Sequence, residues 1–192
     1  MVFFVHGAAL TVRRARQYNR KKYVYSGDEV RWMNFNLVKG DPARISEYCE
    51  IFYDSKLYDA YFSEPGALEK WLNDALDTGE LYIAMSSQDE PIGAIIMEMK
   101  GMTGLPYIHL LGVKKNYRGM GIGSDLIKIF IGIAEASGAP NMFIMTSHFN
   151  VRAKKLYQSM GFEPQCLLKS VLRRGIDEWL FMRASTTRGN NW

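Results

Sequence analysis

Three glycines at alternate positions constrain the fold of this chain more than any other feature of its sequence. Gly119, Gly121 and Gly123 lie in the stretch VKKNYRGMGIGSDL, between an apolar segment and a helix-like run. Glycines let the backbone approach a neighbouring group closely, and a helix that starts directly behind them directs its first N–H groups toward the loop. The stretch therefore predicts a strand, a loop and a helix in succession, with a binding site for a phosphate group at the loop.

Two well-known nucleotide-binding loops do not fit the spacing of these glycines. A nucleotide-triphosphatase loop requires Lys and then Ser or Thr after its last glycine, whereas Ser124 and an aspartate follow here. The dinucleotide fingerprint requires a third glycine at the position of Ser124 or Leu126, depending on where the count begins. The remaining pattern, Arg118-x-x-Gly121-x-Gly123, predicts a diphosphate site at a helix N-terminus; a tight helix entry that binds nothing is the alternative.

The elements around the loop alternate between strands and helices. Apolar alternation and bounding turns predict strands at 31–38, 81–86, 92–100, 107–113 and 142–146, and a strand pair around Arg174 and Gly175 within 162–184. Apolar spacing and capping residues predict helices at 43–53 (capped by Asp41), 67–76 and 121–137, and a helix that starts at Asn150. Because a long helix connects 107–113 to 142–146, we expect these two strands to run parallel in a mixed α/β domain.

The positive charge of the chain is unevenly distributed. Its 192 residues carry a net charge of +4, but residues 1–27 contain six basic residues and no acidic ones. Removing those six charges leaves −2 for the remainder, so the basic balance does not favour nucleic-acid binding by the folded part. We expect residues 1–27 to be a flexible basic extension, 28–185 a single domain and 186–192 a polar tail. Nucleic-acid binding through the basic segment 13–22 is retained as an alternative.

Cysteine, histidine and hydropathy patterns exclude several classes of protein. Cys49 and Cys166 lack the spacing of metal ligands or of a redox pair, so we expect a reduced, cytoplasmic protein. The basic start resembles an organellar leader, which is the alternative location. No apolar run reaches membrane-spanning length, so no membrane association is expected. His6 and His148 form no cluster with acidic residues or cysteines, and no metal site is expected.

A second motif follows the loop after one helix and one strand. It runs from Asn150 to Phe162 and reads N-x-x-A-x-x-L-Y-x-x-x-G-F. Together with V-x-x-x-Y-R-G-x-G-I-G, it resembles the GNAT-type N-acetyltransferase superfamily over 31–184, most strongly over 107–162. The resemblance implies a twisted, mostly antiparallel sheet with about four helices, in which one parallel strand pair splays around the cofactor. It also implies acetyl-CoA as co-substrate and a primary amine as acceptor.

The resemblance further implies which residues contact acetyl-CoA. The glycine loop is expected to bind the diphosphate, and the backbone of the preceding strand is expected to bind pantetheine. Asn150 is expected both to cap its own helix and to meet the cofactor or the substrate. The expected contacts are Leu111, Val113, Arg118, Gly119, Gly121, Gly123, Ser124, Asn150 and Tyr157.

Acetyl transfer requires a neutral amine, a stabilised oxyanion and a proton for the departing thiolate. The resemblance implies Tyr157 as the general acid toward the CoA thiolate; a buried tyrosine with a structural partner is the alternative. His109 is a candidate base, since a family member, serotonin N-acetyltransferase, carries a histidine at the matching place. A core histidine is the alternative for His109. Glu98 is the second candidate base, acting through a water chain or simply attracting a cationic amine; a solvated strand residue is the alternative for Glu98.

The sequence leaves the acceptor and the assembly open. Small amines, antibiotics, amino acids, protein N-termini and lysines all fit the predicted chemistry. The aromatic-rich segment 52–62 either walls an acceptor pocket or packs in the core. The sequence does not decide whether the protein forms a homodimer. A non-catalytic module that binds acyl-CoA is the alternative to an enzyme.

Overall fold

The computed structural model describes residues 35–186 in full, together with the backbone of four short strands before them. These strands form two separate pairs, β1 (Phe4–Val5) with β2 (Ala8–Ala9) and β3 (Lys21–Val24) with β4 (Val30–Met33). Apart from these strands and Thr186, the predicted extension 1–27 and the predicted tail 186–192 lie outside the described residues.

Seven further strands and five helices follow in the described part of the chain. The strands are β5 (Asn36–Lys39), β6 (Leu81–Met85), β7 (Pro91–Glu98), β8 (Tyr107–Val113), β9 (Asn141–Ser147), β10 (Glu163–Arg173) and β11 (Ile176–Ala184). The helices are α1 (Ile45–Cys49), α2 (Lys56–Tyr61), α3 (Ala67–Asp77), α4 (Ile122–Ala136) and α5 (Val151–Ser159). No helix within 35–186 is long and apolar enough to cross a membrane.

The seven strands form one sheet in the order β10-β11-β9-β8-β7-β6-β5. The sheet is mostly antiparallel, and β8 and β9 are its one parallel pair, which confirms the predicted fold class and the predicted parallel strands. Their ladder joins Tyr107 to Phe143 and Ile108 to Ile144.

The described chain divides into two compact units. Unit 1 contains the residues up to Ile95 together with Leu111–Asp125, and unit 2 contains Ile96–Leu110 and the residues from Leu126 onward. In unit 1, α1 packs against α3, and α3 packs against β6. Helix α3 buries Leu68, Leu72 and Ala75 on one face, as the apolar spacing of this segment predicts.

Two predictions for the start of unit 1 are wrong in part. The predicted strand 31–38 is interrupted, because β4 pairs with β3 whereas β5 pairs with β6, so the chain changes partner around Phe35. The predicted helix 43–53 is a 3₁₀ turn over Pro42–Arg44 followed by α1, which ends at Cys49. Asp41 does cap this segment, since its Oδ1 accepts from the N–H of Ala43 at 2.9 Å.

Helix α2 is not among the helices that the sequence predicts. Its N-cap is Ser55, whose Oγ accepts from the N–H of Tyr58 at 3.1 Å. Asp54, just before the cap, adopts a left-handed backbone conformation with φ +54°. A serine cap ahead of a six-residue helix is a weak signal, and the aromatic residues that follow hide the helical spacing.

Unit 2 contains most of α4, then β9, α5 and the hairpin of β10 and β11. Helix α4 buries Leu126, Ile127, Phe130 and Ala134 completely. The hairpin turns at Gly175, as predicted, with φ +83°. The helical spacing predicts Leu156 and Met160 on the core side of α5, but both are half-buried, and Tyr157 is the buried residue of this helix.

Candidate active site

The glycine loop of unit 1 has the geometry that its sequence predicts. Gly119 and Gly121 adopt left-handed conformations with φ +88° and +87°, which residues with a Cβ rarely adopt. Helix α4 begins at Ile122, and the N–H of Asp125 donates to Gly121 O at 3.0 Å. The backbone N–H groups before Asp125 therefore point out of the helix start, where the helix dipole favours an anion.

Arg118 directs its guanidinium at backbone carbonyls. Nε donates to Val113 O at 2.9 Å, Nη1 to Asp54 O at 3.0 Å and Nη2 to Tyr53 O at 3.2 Å. The sequence predicts that this residue contacts the cofactor. In the structure its charged group joins the loop to the end of β8 and to the segment between α1 and α2.

A network of ion pairs and hydrogen bonds holds the segment that precedes the glycine loop. Lys114 contacts Glu50 at 3.0 Å and Glu90 at 3.1 Å, and the hydroxyl of Tyr117 donates to Glu90 at 2.6 Å. The hydrogen bond from Tyr117, followed by that from Lys114, lowers the pKa of Glu90. The hydrogen bond to Glu50 raises the pKa of Lys114. These contacts hold the 3₁₀ turn Lys115–Tyr117, which leads into the loop.

Tyr157 lies in a buried aromatic and polar setting within unit 2. Its side chain is 6% exposed, and its ring packs edge-on against Phe181 at 5.8 Å between centroids. Burial raises its pKa well above the ordinary value; a hydrogen bond with Thr146 opposes the shift, and the charge of Glu178 adds to it. The phenol is therefore protonated at neutral pH and can act as a proton donor.

His109 and Glu98, which the sequence analysis treated as alternative bases, are bonded to each other. Nδ1 of His109 contacts Oε1 of Glu98, and the two side chains are 36% and 23% exposed. His109 is therefore not a core histidine. Gly101 leaves room for the carboxylate, because a Cβ at that position would lie 2.7 Å from Glu98 Oε2.

Three buried polar residues near these groups were not singled out from the sequence. Tyr107 is 7% exposed and its ring lies 5.6 Å from that of His109; burial raises its pKa, and the charges of Glu98 and Glu178 add to the effect. Thr146 and Glu178 are 6% and 2% exposed. Each is a polar side chain within an otherwise apolar strand, and this pattern could have indicated them. Burying a polar group costs free energy unless the group has a partner.

Asn150 confirms its predicted role as a helix cap. Its Oδ1 accepts from the N–H of Ala153 at 3.2 Å at the start of α5.

Cys49 is buried, and burial raises the pKa of its thiol to about 11, so it is not a nucleophile at neutral pH. Within residues 35–186, no three His, Cys, Asp or Glu side chains lie close enough to hold a metal ion.

The fold, the glycine loop and the Asn150 motif together define the class of the protein. A sequence model of the acetyltransferase (GNAT) family matches residues 45–162, and the chain belongs to this family.

Relatives with assigned names match part of the chain. The chain is 30% identical over 107 residues to the peptidyl-lysine N-acetyltransferase YjaB of Salmonella typhimurium, covering 56% of this chain and 64% of that protein. It is also 30% identical over 95 residues to N-alpha-acetyltransferase 30 of Schizosaccharomyces pombe, covering 48% of this chain and 61% of that protein. The matches thus span less than two thirds of these relatives' own length.

Among solved structures, the fold is similar to a chain of the NatC complex bound to Gag peptide and CoA. The TM-score is 0.62 at 25% identity, and the alignment covers 80% of this chain and 100% of that chain.

Proposed function

We propose that this protein is an N-acetyltransferase that moves an acetyl group from acetyl-CoA to a primary amine by direct attack of the amine. The observation that carries the proposal is the glycine loop, in which two left-handed glycines lead into the start of α4. Membership of the acetyltransferase (GNAT) family and the CoA bound to the similar NatC complex support acetyl-CoA as the donor.

The donor contacts are assigned to backbone groups wherever the geometry allows. N–H groups of Gly119, Gly121, Gly123 and Ser124 bind the diphosphate at the helix start. The backbone of Leu111 and Val113, at the carboxyl end of β8, binds pantetheine. Asn150 uses Oδ1 for its cap, and we assign its Nδ2 group to the donor.

The paired side chains of Glu98 and His109 accept the proton of the amine. When the imidazole carries its proton on Nδ1, that N–H donates a hydrogen bond to Glu98. The lone pair that can accept a proton is then on Nε2. The carboxylate then lies beside the imidazolium that forms when Nε2 takes a proton. His109 is thus the base, and Glu98 positions it and balances its charge.

Tyr157 supplies the proton that the CoA thiolate needs to depart. Its burial keeps the phenol protonated, and the hydrogen bond with Thr146 fixes the hydroxyl. A backbone N–H in the segment 111–113 meets the negative charge that develops on the carbonyl oxygen. The thioester of acetyl-CoA supplies the acetyl group. His109 takes the proton of the amine, and Tyr157 gives a proton to the thiolate.

For the acceptor we propose an amine on a peptide or protein. Two relatives are named as a peptidyl-lysine N-acetyltransferase and an N-alpha-acetyltransferase, and the NatC structure holds a peptide. The test is CoA release with acetyl-CoA and a panel of lysine peptides, N-terminal peptides and small amines. Turnover on peptides alone is the expected result. Tight acetyl-CoA binding without turnover on any amine would favour the non-catalytic acyl-CoA-binding module.

A further inference from the structure

Arg118 joins three parts of unit 1 at one point. It belongs to the glycine loop, and its side chain contacts the last carbonyl of β8 and two successive carbonyls in residues 50–55, called the α1–α2 turn below. Each of its three guanidinium nitrogens donates to one of these oxygens. A planar fork that meets three carbonyls in fixed directions is a contact that a lysine ammonium does not reproduce.

The α1–α2 turn has a conformation that needs outside support. Asp54 has φ +54°, a left-handed conformation that a residue with a Cβ keeps only when its surroundings fix it. Phe52 is buried and packs on the backbone of Gly112, where a Cβ would lie 2.3 Å from its ring. Lys115 adds an exposed ion pair to the Asp54 carboxylate at 3.3 Å. Among these contacts, only those of Arg118 fix the backbone carbonyls of Tyr53 and Asp54, which flank the Cα of Asp54.

We propose that Arg118 is a positioning residue of the donor site and not a ligand of the diphosphate. It fastens the α1–α2 turn to the end of β8 and thereby fixes the backbone from which the glycine loop starts. Anion binding at this loop is consequently assigned to backbone N–H groups, whose directions depend on how the loop is anchored. The ligand part of the inference rests on the proposed function, whereas the anchoring part does not.

Hydrogen exchange of the ligand-free protein tests the anchoring directly. We expect Arg118→Lys and Arg118→Gln each to speed amide exchange in residues 51–58 by about tenfold or more, because both lose the three-carbonyl contact. Lys115→Gln is the matched control: it removes the neighbouring ion pair to Asp54 and should change the same exchange by less than about twofold. Unchanged exchange in both Arg118 variants would overturn the proposal. Arg118→Lys keeps the positive charge and part of the packing if Arg118→Gln does not fold.

Binding of CoA to the same variants separates anchoring from direct contact. If Arg118 anchors the loop, the charged Lys variant and the neutral Gln variant should lose affinity to a similar degree, within about threefold of each other. If Arg118 binds the diphosphate directly, Arg118→Lys should retain most of the affinity and Arg118→Gln should lose it, which would overturn the proposal. A wild-type protein that binds no CoA contradicts the proposed function, and hydrogen exchange then decides the role of Arg118 alone.

Discussion

Nδ1 of His109 is bonded to Oε1 of Glu98 across the neighbouring strands β8 and β7. Neither residue is buried, and the pair faces the ring of Tyr107. A carboxylate bonded to one nitrogen of an imidazole fixes its tautomer. The two candidate bases are therefore bonded to each other, and the proposed mechanism gives them different roles.

Removing either partner should slow the chemistry without weakening donor binding. We expect His109→Gln to lower kcat by about 10² to 10⁴ and to abolish the limb of the pH–rate profile that reports the base. Glu98→Gln should have a smaller effect, about tenfold, because the imidazole remains. Glu163→Gln, a change at an exposed position of β10, is the matched control. A profile that is the same in wild type and His109→Gln would remove His109 from the mechanism.

Gly101→Ala should disturb the same pair indirectly. The added Cβ would lie 2.7 Å from Glu98 Oε2 and 2.8 Å from the Cβ of Tyr107, so one of these groups must shift. We expect kcat to fall about as far as in Glu98→Gln and the free energy of unfolding to fall by about 1–3 kcal/mol. Steady-state kinetics and urea unfolding measure the two effects. Wild-type kcat together with a loss of stability would show that the Glu98 contact does not matter for rate.

Gly121→Ala should weaken acetyl-CoA binding more than it weakens the fold. The backbone at this position has φ +87°, so an added Cβ strains the loop by about 1 kcal/mol and shifts the N–H groups that face the diphosphate. We expect the acetyl-CoA Kd, measured by calorimetry, to rise about tenfold or more.

Gly175→Ala provides a matched control for that change. Gly175 has nearly the same φ, +83°, with nothing within 4 Å of an added Cβ, and it lies in the hairpin turn of unit 2. It should show a similar loss of stability and an unchanged Kd. Equal effects of the two substitutions on Kd would contradict the assignment of the loop to the donor.

The two buried tyrosines should make the free energy of unfolding depend on pH in the alkaline range. Burial raises the pKa of both Tyr107 and Tyr157 in the folded state. A group with a raised folded pKa contributes stability that is fully present below its unfolded pKa, about 10 for tyrosine, and that is lost as the pH rises further. The free energy of unfolding should therefore fall above about pH 10. The slope should be shallower in Tyr107→Phe and Tyr157→Phe; an unchanged slope in both would show that the tyrosines ionise without penalty.

Local signals in the sequence predicted the parts of the site that depend on neighbouring residues. The glycine loop and the cap at Asn150 are set within a few positions by backbone freedom and by a side chain that reaches its own helix. The parallel arrangement of β8 and β9 was predicted because a helical crossover connects them.

Contacts between distant positions were not predictable in the same way. The bonding of His109 to Glu98 depends on the register of two strands, and a shift of one residue would place the side chains on opposite faces. Two of the three carbonyls that Arg118 contacts lie 64 and 65 positions earlier in the chain, in a turn whose left-handed residue is an aspartate. The burial of Glu178 likewise follows from its pairing opposite Ser147 and not from its own segment.

The most direct test of the proposed chemistry is the rate of acetyl-peptide formation by wild type and Tyr157→Phe, measured by mass spectrometry with saturating acetyl-CoA. The substitution removes one hydroxyl and keeps the ring that packs against Phe181. If Tyr157 protonates the thiolate, kcat should fall by about 10² or more, and the acetyl-CoA Kd should remain within about twofold of wild type. Equal rates in the two proteins would return Tyr157 to a structural role and contradict this mechanism.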